Sequence, residues 1–109
     1  MLKPILGSQN AERVLMFLQA REEGYPTDIA RFYDTDVFGI QKQLERLESE
    51  GVLVSRMAGR TRLYSFNPRY PFLKELRSIL EKALSFYDPK VRDALLMNRR
   101  RPRRRGKPL

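Results

Sequence analysis

Gln41, Lys42, Gln43 and Arg46 sit on the polar side and flanks of one amphipathic stretch. A glutamine amide pairs with adenine at two points, and Lys or Arg reaches guanine or phosphate. Further on, Arg56, Arg60 and Arg62 lie around Gly59, with no acid between Gly51 and Lys74. Guanidinium groups so placed suit phosphate oxygens or a minor groove. Arg99, Arg100, Arg101, Arg103, Arg104, Arg105 and Lys107 then form an acid-free run at the C-terminal end. The chemistry offered is recognition of a polyanion rather than bond making.

The residues that are missing narrow the choice further. The chain has no Cys and no His, which excludes disulfides, thiolate or imidazole metal sites, His-dependent triads and Cys nucleophiles. Asp34 and Asp36 look like a carboxylate pair, but turn and capping roles explain both. The residues call for no cofactor, no metal and no enzyme activity. The length of 109 residues fits one domain. The formal charge of +9 is uneven, because the acid-free run leaves residues 1–98 at only +2. No apolar run approaches the roughly 20 residues of a membrane span, and Met1–Gly7 has no signal-peptide core. A cytoplasmic, nucleoid-associated protein with a polyanionic partner is expected.

The elements that must position these groups follow from periodicity. A helix is predicted over Gln9–Glu22, capped by Ser8 or Asn10 and ended by Gly24. Pro26 opens a helix of about two turns, with Ile29, Ala30 and Phe32 or Tyr33 inward. After the Asp34-Thr35-Asp36 turn, Asp36 caps a helix Val37–Glu50 that stops at Gly51. Val37, Ile40, Leu44 and Leu47 form its apolar stripe. Phe38 faces away from that stripe and either meets a thymine methyl or packs under a loop. Gly39 marks a close approach, to DNA or to the second helix. Val52–Met57 and Thr61–Phe66 make a hairpin turning at Ala58-Gly59-Arg60. A helix beginning near Phe72 carries a broad apolar face of Phe72, Leu73, Leu76, Ile79, Leu80, Ala83, Leu84 and Tyr87. Asp88-Pro89 starts a last helix with Val91, Ala94, Leu95 and Met97 inward. The aromatic residues are scattered and mostly core-facing, which argues against a stacking platform for single strands.

This order is that of a winged helix-turn-helix: mainly α with a small β-hairpin, an α+β fold. The helix Val37–Glu50 then enters a major groove about 12 Å wide, and the hairpin is the wing. Tyr25–Val54, including Asp28-Ile29-Ala30 and Leu44–Val54, resembles the ArsR-type winged-helix regulators of prokaryotes. Leu6-Gly7-Ser8 and Tyr64-Ser65-Phe66-Asn67 strengthen that resemblance, which covers Leu6–Tyr87. It implies a homodimer on operator DNA. Many ArsR-type members sense metals through Cys or His, and this chain has neither.

The expectation is a domain over 1–98 that binds double-stranded DNA as a homodimeric transcriptional regulator, acting as a repressor. Phe38, Gly39, Gln41, Lys42, Gln43 and Arg46 read bases, while Arg56, Arg60 and Arg62 hold the backbone. Arg99–Leu109 is a disordered basic arm. The apolar arc Phe72, Leu76, Ile79, Leu80, Ala83, Leu84 and Tyr87 is too wide for one-sided burial, and a second copy covers it. The alternatives are a non-specific or architectural DNA-binding protein and a winged-helix protein-interaction module.

Overall fold

The structure is a computed structural model and describes residues 1–96. The basic run therefore lies outside the described residues, as does Met97. A short helix α1 (Lys3–Leu6) leads into α2 (Gln9–Arg21), where Ser8 Oγ accepts from the Ala11 N–H at 3.0 Å. Of the two expected caps, Ser8 fills the role. Val14, Leu15, Met16, Phe17 and Leu18 are all buried. Five successive buried positions wrap most of the helix circumference, so α2 is the central pillar rather than a surface helix.

Gly24 does not end α2. The helix stops at Glu22, whose φ of 73° turns the chain. Glu23–Gly24 then forms β1, paired antiparallel with β3 (Thr61–Phe66) through Glu23↔Ser65 and Gly24↔Tyr64. Glycine is required at this position by space. A Cβ on Gly24 would lie 2.7 Å from Phe17 Cε1. The expected two-stranded hairpin is thus a three-stranded sheet in the order β1-β3-β2, with β2 at Leu53–Ala58. Its register runs from Leu53↔Phe66 to Ala58↔Thr61, leaving Gly59-Arg60 as the loop. Asn67 closes the base of the wing by donating from Nδ2 to the Gly51 carbonyl at 2.9 Å.

The helix-turn-helix is α3 (Pro26–Phe32) and α4 (Val37–Ser49). Ile29 and Ala30 of α3 are buried, as are Ile40, Leu44 and Leu47 of α4. Phe32 and Tyr33 are half-buried with their rings edge to face at 4.8 Å. α5 (Leu73–Ser85) packs on α2, and Arg77 donates to Gln19 Oε1 at 2.9 Å while lying over the Phe66 ring. Residues 89–96 are helical, started by Asp88, whose Oδ1 accepts from the Lys90 N–H at 3.1 Å. Arg21 stacks over Phe17 and Phe32 and donates to the carbonyls of Ala94 and Leu95, which pins that segment to α2. Leu95 is fully buried, whereas Val91 and Ala94, also expected inward, are exposed. No helix among the described residues is long and apolar enough to cross a membrane.

Candidate nucleic-acid interface

α4 is fixed at both levels that a reading helix needs. Asp36 Oδ1 accepts from the Phe38 N–H at 3.3 Å, and the Ile40/Leu44/Leu47 stripe is held in the core. Its outer face is consequently set in rotation. Phe38, Gln41, Lys42, Glu45 and Arg46 are exposed there, Phe38 at 71%. Gln43 is half-buried and accepts from Arg46 Nε at 3.0 Å. Arg46 also meets Glu50 Oε1 at 3.3 Å, so its charge is partly engaged within the helix.

Gly39 is half-buried at the junction of α2 and α4. A Cβ there would lie 2.7 Å from Asn10 Nδ2, so the missing side chain admits α2 against α4. Within the chain, the close approach inferred from this glycine is made by the first long helix of the domain rather than by the short helix α3.

Strand parity divides the wing arginines. Arg56 pairs across with Leu63, whereas Arg62 pairs with Met57, so the two arginines point to opposite faces of the sheet. Arg56 pairs with Glu23 of β1 at 3.7 Å, on the face away from α4. Arg60 and Arg62 instead line a cleft of about 410 Å³ between the wing, the start of α3 and α4, together with Gln41, Glu45 and Tyr64. Two of the three arginines are thus brought to the outer face of α4, and one is not.

The cleft carries negative groups that the residue pattern did not single out. Glu48 Oε2 accepts from Ser55 Oγ at 2.7 Å, and Ser55 Oγ accepts from Arg62 Nη1 at 3.1 Å. This chain ties α4 to the wing and fixes the Arg62 guanidinium. Glu45 Oε2 accepts from Gln41 Nε2 at 3.2 Å, one turn along α4. The Tyr64 hydroxyl is held above its ordinary pKa, first by burial and then by Glu48 and Glu45, with Arg62 opposing. The signal for Glu45 was present in the sequence, since it falls one turn after Gln41 on the same outer face.

The expected dimerisation residues split in the same manner. Leu80, Ala83 and Leu84 are buried within their own chain, against the core that also holds Leu95. They are therefore not free to meet a partner, because α5 packs on α2 and sinks this part of the arc into the core. Leu76 and Tyr87 are half-buried, while Phe72 at 63% and Ile79 at 45% are exposed, together with Phe86 and Ile5. Tyr87 donates its hydroxyl to the buried Glu12, which also accepts from the Leu2 N–H at 2.8 Å and pairs with the terminal amine. Burial alone would raise the Glu12 pKa. The hydrogen bonds from Tyr87, Leu2 and the amine outweigh it and hold the carboxyl below the usual range. Among the described residues no group of three or more acidic side chains is placed to hold a metal ion.

No protein-family model matches the sequence, and no curated protein matches it. Solved structures do resemble it. A double mutant of Lactococcus lactis ZitR in apo form superposes with a TM-score of 0.54 and 17% identity, over 91% of this chain and 83% of that one. A second structure of that mutant gives 0.50 and 15%, over 89% and 74%. The adhesin competence repressor AdcR of Streptococcus pyogenes gives 0.49 and 13%, over 98% and 89%. At such identities the first two establish a likeness of fold. With the observed element order, the fold is an α+β winged helix-turn-helix.

Proposed function

We propose that this protein binds double-stranded DNA in a sequence-specific manner and acts as a homodimeric transcriptional regulator, repressing by occluding a promoter. The observation that carries the reading is the meeting of α4 and the wing. Gln41 and Glu45 of the helix border the same cleft as Arg60 and Arg62 of the hairpin. A duplex that receives α4 in its major groove brings its backbone to those arginines. Phe38 and Lys42 extend the reading surface, and the run Arg99–Leu109 supplies charge that any duplex attracts.

Non-specific or architectural binding is the weaker reading, because the helix itself is not cationic. α4 carries Glu45 and Glu48 beside Lys42 and Arg46, with Glu50 at its cap. A surface selected only for phosphate would not place carboxylates there. The homodimer rests on the exposed Phe72, Ile79 and Phe86 about α5, with the exposed Met1 lining the same shallow depression as Ile79 and Phe86. The ArsR-type assignment belongs to the same proposal and rests on Tyr25–Val54. Without Cys or His, it includes no metal sensing through those ligands.

Selection of bound duplexes from a random pool tests the proposal. A two-fold symmetric consensus is expected, with half-sites about 34–36 Å or a multiple of that apart. Failure to retain any duplex at low salt would refute it.

A further inference from the structure

Glu45 is out of place on a surface that meets a polyanion. Glu48 is already tied to Ser55, whereas Glu45 is exposed and its described hydrogen bond comes from Gln41. Among the described residues no ion pair engages it. Near phosphates an unpaired carboxylate is repelled. Against base edges the situation reverses, provided that the base offers a donor. An ionised carboxylate only accepts hydrogen bonds. In the major groove the donors are the amino groups of cytosine and adenine, while guanine and thymine present acceptors. Adenine sets its amino group beside the N7 acceptor, and cytosine has no such neighbour. A carboxylate therefore favours cytosine and acts against guanine and thymine.

We infer that Glu45 is a specificity-determining residue of the α4 surface, accepting from the exocyclic amino group of cytosine while Gln41 holds its carboxylate in place. The inference rests on the reading of α4 and the wing as a duplex interface. Gln41 and Glu45 lie four residues apart, about 6 Å along the helix axis. That span is close to two base-pair steps of about 3.4 Å, so the pair addresses positions two base pairs apart. The Gln41–Glu45 hydrogen bond orders the carboxylate before binding, which lowers the entropy lost on contact. Arg60 and Arg62 across the cleft supply the phosphate attraction that offsets the carboxylate's repulsion. Affinity and discrimination thereby fall to different elements.

The test is duplex selection with the wild-type chain and with Glu45→Ala and Glu45→Gln, both at an exposed position that leaves the core untouched. The wild type should fix cytosine at one position of each half-site, with about tenfold discrimination or more. Glu45→Ala should lose that preference, keep the remaining positions and bind guanine- or thymine-bearing sites more tightly than wild type. Glu45→Gln should move the preference toward adenine, which a side-chain amide can meet at two points. An unchanged consensus with Glu45→Ala would overturn the role of Glu45 and leave duplex binding standing. If the wild type enriches no sequence, the interface reading fails and this inference with it.

Discussion

Replacing Gly24 with alanine should loosen the base of the wing. The new Cβ would lie 2.7 and 3.1 Å from Phe17 Cε1 and Cδ1, and 3.4 Å from Ile29 Cδ1. Neither neighbour has room to retreat, since Phe17 is 2% exposed, Ile29 is fully buried and the Arg21 guanidinium covers the Phe17 ring. Overpacking of this kind costs about 1–3 kcal/mol. The backbone at Gly24 is not in the left-handed region, so alanine recovers about 0.4–1 kcal/mol through a less flexible unfolded chain. The net loss is about 1–2 kcal/mol, or roughly 5–15 °C in thermal midpoint for a domain of this size. Circular dichroism melts would measure it, and hydrogen exchange at Tyr64, the β3 partner of Gly24, should quicken. The same change at Gly39 is the contrast. There the Cβ meets only the end of the Asn10 side chain, and better helix propensity, about 1 kcal/mol, roughly balances the broken Asn10–Arg13 hydrogen bond of about 0.5–1.5 kcal/mol. A Gly24→Ala variant that melts at or above wild type would refute the packing argument.

Three further outcomes are expected. Glu12→Gln should destabilise by about 1–3 kcal/mol at neutral pH, because an amide replaces a buried carboxylate that accepts from Leu2 and Tyr87. Since the folded Glu12 pKa lies below the ordinary value of 4.5, its contribution is present above that value and fades as pH falls through the folded pKa. Urea titrations of the two proteins should therefore converge in acid, and a gap that widens there would reverse the sign. Ile79→Glu, at an exposed site of α5, should give a folded monomer in sedimentation at micromolar concentration; a monomeric wild type defeats the dimer. Arg60→Ala with Arg62→Ala should weaken all duplexes alike and shrink the salt slope by about 0.9 for each phosphate no longer neutralised, and an unchanged slope would mean that the hairpin points away from DNA.

The parts of the fold set by local periodicity were legible in the sequence. The Ile40/Leu44/Leu47 stripe fixed α4, Asp36 marked its start, and Gly59 marked the turn between two alternating strands. What escaped depends on contacts across the chain. β1 is two residues long, too short to show alternation, and Gly24 imitates a helix stop while serving a packing need in the sheet. Nothing in the sequence around Glu12 marks it as buried, because only the folded chain brings Leu2 and Tyr87 to it. Leu80, Ala83 and Leu84 looked like surplus apolar surface because the packing of α5 on α2 has no local signature. The division of Arg56 from Arg62 was recoverable from strand parity, which places residues an even number apart on one face only within a strand and needs the register to carry across the turn.

The register also explains why the wing and α4 act as one unit. Ser55 pairs across the hairpin with Tyr64, and Met57 with Arg62, so all four stand on the face turned toward the helix. Ser55 then has Glu48 on one side and Arg62 on the other, joining helix to strand and strand to strand through one hydroxyl. A guanidinium on a free hairpin tip loses side-chain entropy when it settles on a phosphate; Arg62 is already held. The bond to Ser55 leaves the rest of its donor fork for an anion. Glu48 makes that restraint possible and also lowers the local positive potential, so the arrangement favours geometry over bulk attraction. On the proposed reading, that trade suits a helix whose Gln41–Glu45 pair has to meet base edges at a defined depth and rotation. An interface selected for bulk attraction would have a second cation at position 48 and a wing free to move.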